Sequence, residues 1–418
     1  MNLKNYTDCC ELSLCLCCKT PNKLFLDLGL QPLANNYHLM DEQCDTYPLR
    51  LKYCPNSIHC QLSYAVNPCL LFKTYKYVSG TSNTGLNFFK ENAKFINDYY
   101  NSYNGSNNFI TKRVLDIACN DGSQLDYFKE LDWVTYGVDP ATNLVPIAEK
   151  KGHNIICDFW NDTVAKKMPI MDIITAQNVF AHTQYIDEFL QACKIIMNDN
   201  TSLFIQTSQK NMIINTEFDT TYHEHVSFYN TKSMKTLVER NGLFLNRVLE
   251  NEIHGHSYIF EINKVMRKSI YNVDKYLKDE LAMGIYNEQT YQNFNEKTNL
   301  IIENLKKEIT DFKNSNYKCI GFGAAAKGQT VLCYGEIYLD YIIDENPLKI
   351  GLLSPKTNIP IVSIEHFIED SDDDKYVIFI LAWNFSKEIN EKIRKYKGNK
   401  KCVVLEAYFP EIVIRKLL

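Results

Sequence analysis

Between Val114 and Asn241 short apolar runs alternate with amphipathic stretches, a pattern that few folds accommodate. Val114–Ala118, Tyr136–Val138, Ile155–Cys157, Ile173–Ala176 and Ser202–Gln206 read as buried strands. Ser123–Glu130, Asn143–Lys150, Ile186–Met197 and Lys232–Asn241 read as the helices between them. Strands apolar at nearly every position have both faces covered, so a parallel sheet flanked by helices is expected. The pattern returns in Cys319–Gly321, Tyr341–Ile343, Tyr376–Leu381 and Val403–Leu405, which predicts a second α/β domain. Between the two, Lys264 to Asn314 is charged and helical, and the first 80 residues are rich in Cys and turn residues. At 418 residues the chain exceeds one hydrophobic core. The expected division is 1–80, a small N-terminal module; 81–264, a central α/β domain; 265–314, a helical linker; and 315–418, a second Rossmann-like domain.

Net charge is −5 and no basic tract exists, which argues against a nucleic-acid partner. An anionic ligand therefore needs local donors. Met1 to Cys18 lacks the apolar core of a signal peptide, and no stretch approaches ~20 uninterrupted apolar residues, so neither export nor a membrane span is expected. The expected location is the cytoplasm. There, 15 cysteines point to metal rather than to disulfides.

Val114 to Gly122 runs from a strand through a small-residue turn into a helix. Such a turn lets backbone N–H groups approach a ligand. Asp116, Asn120, Asp121 and Gly122 line it, and Asp139 ends the next strand about 20 residues on, where a carboxylate can accept both ribose hydroxyls. Asp158 follows the third strand, where adenine amino groups are usually read, and Asn178 follows the fourth. A dinucleotide loop wants Gly-x-Gly-x-x-Gly, and Ala118, Asn120 and Ser123 break that pattern. S-adenosylmethionine carries no phosphate, so the missing glycines matter less for it.

Asn120-Asp121-Gly122 after an acidic strand resembles the sugar C-methyltransferases of deoxysugar pathways. Further markers are Leu28 to Ala34, Tyr222 to His225, His254-Gly255, Gly323 to Gly328 and Ala382 to Asn384, spread over nearly the whole chain. The resemblance implies an N-terminal zinc-binding module, a central class I methyltransferase fold binding S-adenosylmethionine, and a Rossmann-like domain helping to hold a nucleotide-linked 4-keto-sugar. It leaves the sugar and the oligomeric state open. An O- or N-methyltransferase and a non-catalytic binding protein are the competing readings.

Carbon methylation needs a carbanion equivalent, and the set Tyr222-His-Glu-His225 offers a base for it. His225 is the expected general base, with Glu224 fixing its tautomer and Tyr222 donating toward an enolate oxygen. The two-residue spacing of His223 and His225 fits an extended loop better than a zinc-protease helix, although metal binding and a structural knot are alternatives. By resemblance a tyrosine from the N-terminal module, Tyr75 or Tyr77, also enters the site. His182 and His254 are candidates for the substrate pocket, with a core or capping role equally open for His182.

Cys15 and Cys18 have the C-x-x-C spacing of a zinc knuckle, and Cys54 supplies a third thiol. Alignment on the family's second knuckle puts Ser57 at the fourth ligand, with His59 or Cys60 as substitutes. The zinc expected is structural. In the last domain, Lys327 can supply charge to a diphosphate and Asp344 can take a ribose hydroxyl; a domain that merely caps the cleft is the alternative.

Overall fold

The computed structural model describes residues 8–40, 42, 44–75, 78–81, 83–104, 111–207, 211–251, 256–370, 375–408 and 411–417. The N-terminal module carries β1 (Cys9–Glu11), β2 (Lys23–Pro32), β3 (Thr46–Tyr53), β4 (Cys60–Leu62), β5 (Tyr64–Val66) and α1 (Pro68–Phe72). Where the sequence reads as turns, β2, β3 and β4 form an antiparallel sheet. In β3 buried and half-buried side chains alternate, as period-2 patterning requires of a sheet with one covered face.

The central domain opens with α2 (Asn83–Asn104) and continues β6 (Arg113–Ile117), α3 (Ser123–Glu130), β7 (Val134–Val138), α4 (Val145–Lys150), β8 (Asn154–Ile156), α5 (Asp162–Ala165), β9 (Ile173–Gln177), α6 (Ile186–Ile196) and β10 (Ser202–Thr207). After α7 (Met212–Asn215) come β11 (Ser227–Phe228), α8 (Thr231–Arg240), β12 (Phe244–Asn251) and β13 (Ser257–Asn263). Sheet order is β12-β13-β10-β9-β6-β7-β8, parallel except at β13. The order reverses between β6 and β9, and ligands of open α/β sheets bind at such a switch point, beyond the carboxyl ends of the strands. β11 leaves this domain to pair with β4, so the N-terminal sheet is completed by the central chain.

Next come α9 (Val273–Ala282) and α10 (Glu288–Asn314), then β14 (Tyr317–Phe322), α11 (Ala326–Gly335), β15 (Ile342–Ile343), β16 (Ile361–Val362), α12 (Ile364–Glu369), β17 (Lys375–Ile380), α13 (Ser386–Tyr396), β18 (Lys401–Tyr408) and β19 (Glu411–Leu417). This second sheet is also parallel, apart from β19. One apolar core joins all parts of the chain: Leu26, Leu51 and Tyr53 from the first sheet, Phe218 and Phe228 from the central domain, Tyr291 and Phe294 from α10, and Val331 and Leu339 from the last domain. Tyr53 stacks on Tyr291 with ring centroids 4.3 Å apart. The helical connector therefore works as a shared wall rather than a spacer. Among the described residues no helix is long and apolar enough to cross a membrane.

Candidate active site

The residues expected on the cofactor side gather on the turn after β6. Ala118, Asn120 and Gly122 all have left-handed backbone, with φ of 61°, 53° and 76°. Two non-glycine residues accept this cost because the turn is pinned from outside. Asp139, buried at the end of β7, accepts the N–H of Asn120 through Oδ2 and that of Ala141 through Oδ1, both at 2.8 Å. The N–H of Ser79 donates to the Asn120 side chain at 3.0 Å, and a side chain on Gly80 would collide with Asp121. A strap ending the N-terminal module thus lies on the turn. Upstream, Asn143 exchanges two hydrogen bonds with the backbone of Tyr75.

Asp121 accepts the Ser123 hydroxyl at 2.8 Å, and Asp158 is exposed. Asn178, with φ of 52°, has a buried side-chain oxygen without a partner among the described residues. The turn, the Asp139 carboxylate and this orphaned oxygen suit a polar, phosphate-free nucleoside ligand.

Asp116 is buried and accepts Thr175 at 2.8 Å and Gln124 at 3.1 Å, both through Oδ1. Burial, with the Asp139 carboxylate adding to it, pushes Asp116 up to about 7. The folded value lies above the unfolded one of about 3.9, so the folded chain keeps a proton that the unfolded chain releases. The associated stability is intact below about pH 4 and lost as pH rises toward 7. An asparagine keeps the Oδ1 acceptor without the charge. D116N is therefore expected to be ~1–3 kcal/mol more stable than the native chain at pH 8, with the gain gone near pH 4. Urea unfolding at both pH values checks this; a difference independent of pH would refute it.

The set Tyr222 to His225, expected to carry the base, lies in the segment after β10. His225 Nδ1 faces the Thr220 carbonyl at 2.8 Å, and His225 Nε2 faces the Tyr222 hydroxyl at 2.7 Å. A carbonyl only accepts, so Nδ1 carries the hydrogen and Nε2 is the basic nitrogen, toward which Tyr222 donates. The tautomer is therefore fixed by Thr220, not by Glu224 as the sequence suggests. Glu224 instead accepts Asn35 at 2.6 Å on one oxygen and the Tyr75 hydroxyl at 3.1 Å on the other. Both donors come from the N-terminal module. Burial pushes the Glu224 carboxyl up, and these donors oppose that rise.

His182 lies beside the base, ring centroids 5.1 Å apart, and stacks on Phe72. Burial pushes His182 down to about 4, which keeps it neutral at physiological pH. Tyr77 and His254 lie outside the described residues.

The last domain brings Ala324 against Tyr37 of the N-terminal module. Its carbonyl accepts Tyr37 at 2.6 Å and Lys349 at 2.7 Å, and its N–H donates to Asp344 at 2.7 Å. Asp344 thus shapes the loop with a carboxylate that retains lone pairs. Lys327 sits 4.2 Å over the Trp383 ring, and Trp383 donates to Asp219 at 2.6 Å. Burial pushes Glu217 up to about 7, and the Lys327 charge opposes that rise. Lys327 is therefore engaged with an acidic pair of the central domain; Lys349, which the sequence reading missed, is the cation beside the loop.

In the N-terminal module the thiols of Cys15, Cys18 and Cys54 lie within 4.8 Å of one another. Tetrahedral zinc holds thiolates about 3.8 Å apart, so the trio fits that ion. A hydrogen bond with Cys17 pushes Cys15 up to about 12 and one with Cys15 pushes Cys54 up to about 11, and such thiols ionise readily only beside a cation. Ser57 Oγ stands 3.3 Å from Cys15 Sγ, and Thr20 Oγ1 stands 3.1 Å from Cys18 and 3.2 Å from Cys54. Cys60 is elsewhere, its thiol buried against Tyr291, and His59 pairs with Ser227 at 3.2 Å. The sheet alternation that turns Cys60 into the shared core takes it away from the knuckle.

Sequence models of three families match the chain in order: "putative zinc binding domain" over 15–72, "methyltransferase domain" over 88–246 and "C-methyltransferase C-terminal domain" over 252–405. C-methyltransferase NovU of Streptomyces niveus is 24% identical over 392 residues, covering 90% of each chain. The ubiquinone biosynthesis O-methyltransferase of Glaesserella parasuis is 28% identical over 123 residues, covering 27% of this chain and 50% of its own. That match is confined to part of the chain, whereas the NovU match spans all three parts. The chain is an S-adenosylmethionine-dependent methyltransferase whose sequence matches, in order, a putative zinc-binding domain, a methyltransferase domain and the C-terminal domain of C-methyltransferases.

Proposed function

We propose that this methyltransferase alkylates carbon beside the ketone of a nucleotide-linked 4-keto-sugar, with His225 as general base. The observation that carries the reading is the Thr220–His225–Tyr222 chain, which leaves one basic nitrogen, already addressed by a phenol, at the sheet's ligand-binding edge. His225 Nε2 takes the proton from the carbon next to the ketone, and the bonding pair moves to the ketone oxygen as an enolate. Tyr222, released from Nε2 when substrate enters, donates to that oxygen. Glu224, held on both oxygens, shapes the wall opposite with Tyr75. Bound S-adenosylmethionine supplies the electrophilic methyl group. Neutral His182 and the Ala324 loop with Asp344 and Lys349 line the substrate side, where a cation suits a diphosphate.

Mass spectrometry after incubation with a panel of nucleotide-linked 4-keto-sugars tests the assignment. The expected product gains one methyl on carbon, and in deuterated water it loses the proton of the attacked position. A methyl found on oxygen or nitrogen would support the O- or N-methyltransferase reading instead.

A further inference from the structure

Gln177 ends β9 and Gln206 lies near the end of β10, and the two are register partners across the parallel pair. Gln206 is 0% exposed. The amide nitrogen and oxygen of both side chains are buried and have no hydrogen-bond partner among the described residues. Thr207 Oγ1 and Asn178 Oδ1, on the adjoining residues, are in the same condition. Buried amides are normally paired, so such a cluster at the carboxyl edge of a sheet marks a place where a ligand completes the bonding.

Strand alternation decides which ligand. Gln177 shares its face of β9 with Ile173 and Thr175, and Gln206 shares its face of β10 with Phe204. Ile173 and Phe204 pack with Leu125 and Phe128 of α3 and with Ala93 and Ile96 of α2. That is the face of the helix rising from the cofactor turn, where Asp116 meets Thr175 and Gln124. Val226 and Tyr229, which follow the base His225, pack instead with α6 and α8 on the other face. The amides thus stand on the face of the sheet that carries the cofactor turn.

We infer that Gln177 and Gln206 hold the amino-acid end of S-adenosylmethionine. That end is a zwitterion, and a neutral amide matches both of its charges: the NH₂ group donates to the carboxylate and the carbonyl accepts from the ammonium. The inference rests on the donor lying across the ends of β6 and β7, with Asp139 at its ribose. Q177L and Q206L separate the two ideas when titrated calorimetrically with S-adenosylhomocysteine and with 5′-methylthioadenosine, which lacks the amino-acid end. Each variant is expected to bind S-adenosylhomocysteine roughly 10- to 100-fold more weakly and methylthioadenosine as the native chain does. The thermal midpoint without ligand should stay or rise, because an unpaired amide gives way to an apolar group. Parallel loss of both ligands, or undiminished binding of S-adenosylhomocysteine, overturns the inference. D139A is expected to weaken both ligands roughly 5- to 100-fold. Unchanged affinities there would overturn the placement of the donor itself, and the inference with it.

Discussion

H225A is expected to abolish solvent exchange of the proton beside the substrate ketone while S-adenosylmethionine still binds. The imidazole holds the one nitrogen that the Thr220 carbonyl leaves basic and that Tyr222 already addresses. Loss of a general base typically lowers a rate by ~10²–10⁴. Folding is a separate matter, because His225 is buried and its removal takes away the acceptor that the Tyr222 hydroxyl addresses. The binding measurement resolves the two: the cofactor turn is held by Asp139 and Ser79, neither of which touches His225. Deuterium uptake followed by NMR in the absence of methyl donor reads the proton step alone. Exchange at the native rate in H225A would assign the base elsewhere, with His182 as the nearest imidazole.

E224Q distinguishes the role drawn here from the one that the sequence suggests. An amide keeps one acceptor oxygen for Asn35 or Tyr75, whereas a tautomer-fixing carboxylate could not be replaced so simply. Because Glu224 does not contact Nδ1, E224Q should retain most of the exchange rate and chiefly disturb how substrate is seated.

The sheet of the central domain was legible because its parallel strands are covered on both faces. Ile173–Ala176 is apolar except for Thr175, whose hydroxyl is taken by Asp116, and the structure extends the expected strand only by Gln177. The antiparallel pair β12 and β13 was not legible: Phe244–Asn251 mixes charged and apolar residues, and its pairing depends on a partner rather than on local pattern. α2 escaped notice although it is 22 residues long, since its polar and apolar residues nearly balance. β11 is two residues in the central domain completing a sheet in another, and no local signal carries such a contact. In the site the side chains of Tyr222, Glu224 and His225 could be named, but Thr220 acts through its carbonyl, which every residue possesses. Asn35 and Lys349 matter only because three parts of the chain converge, and convergence is not written in spacing.

One zinc per chain is the expected metal content, and its removal should loosen the first ~80 residues. In small zinc fingers the metal supplies on the order of 10 kcal/mol of folding free energy. Here packing shares the task. Arg240 of α8 donates to the carbonyls of Cys17 and Leu16 and pairs with Asp187, which also meets Lys19 at 2.8 Å. Gln61 adds a clamp, accepting the Leu16 N–H at 2.8 Å and donating to the Leu14 carbonyl. The knuckle should therefore stay attached while its own order falls. Activity suffers because Asn35 and Tyr75, which hold Glu224, belong to the same module; cofactor binding should weaken as the Ser79 strap loosens but not vanish, since Asp139 remains. Hydroxyls stand beside the trio, Ser57 next to Cys15 and Thr20 next to Cys18 and Cys54, and a serine hydroxyl at the fourth position would be a poorer zinc ligand than a thiolate. S57C should consequently retain zinc against a chelator better than the native chain, by ~10-fold or more in apparent affinity, a margin of about 1.4 kcal/mol. With cobalt in place of zinc, its charge-transfer bands should also strengthen as a fourth thiolate joins. Elemental analysis of native protein purified without chelator decides the first point. Full activity with zinc near zero would mean that packing alone holds the module, and that the serine marks a metal site already given up.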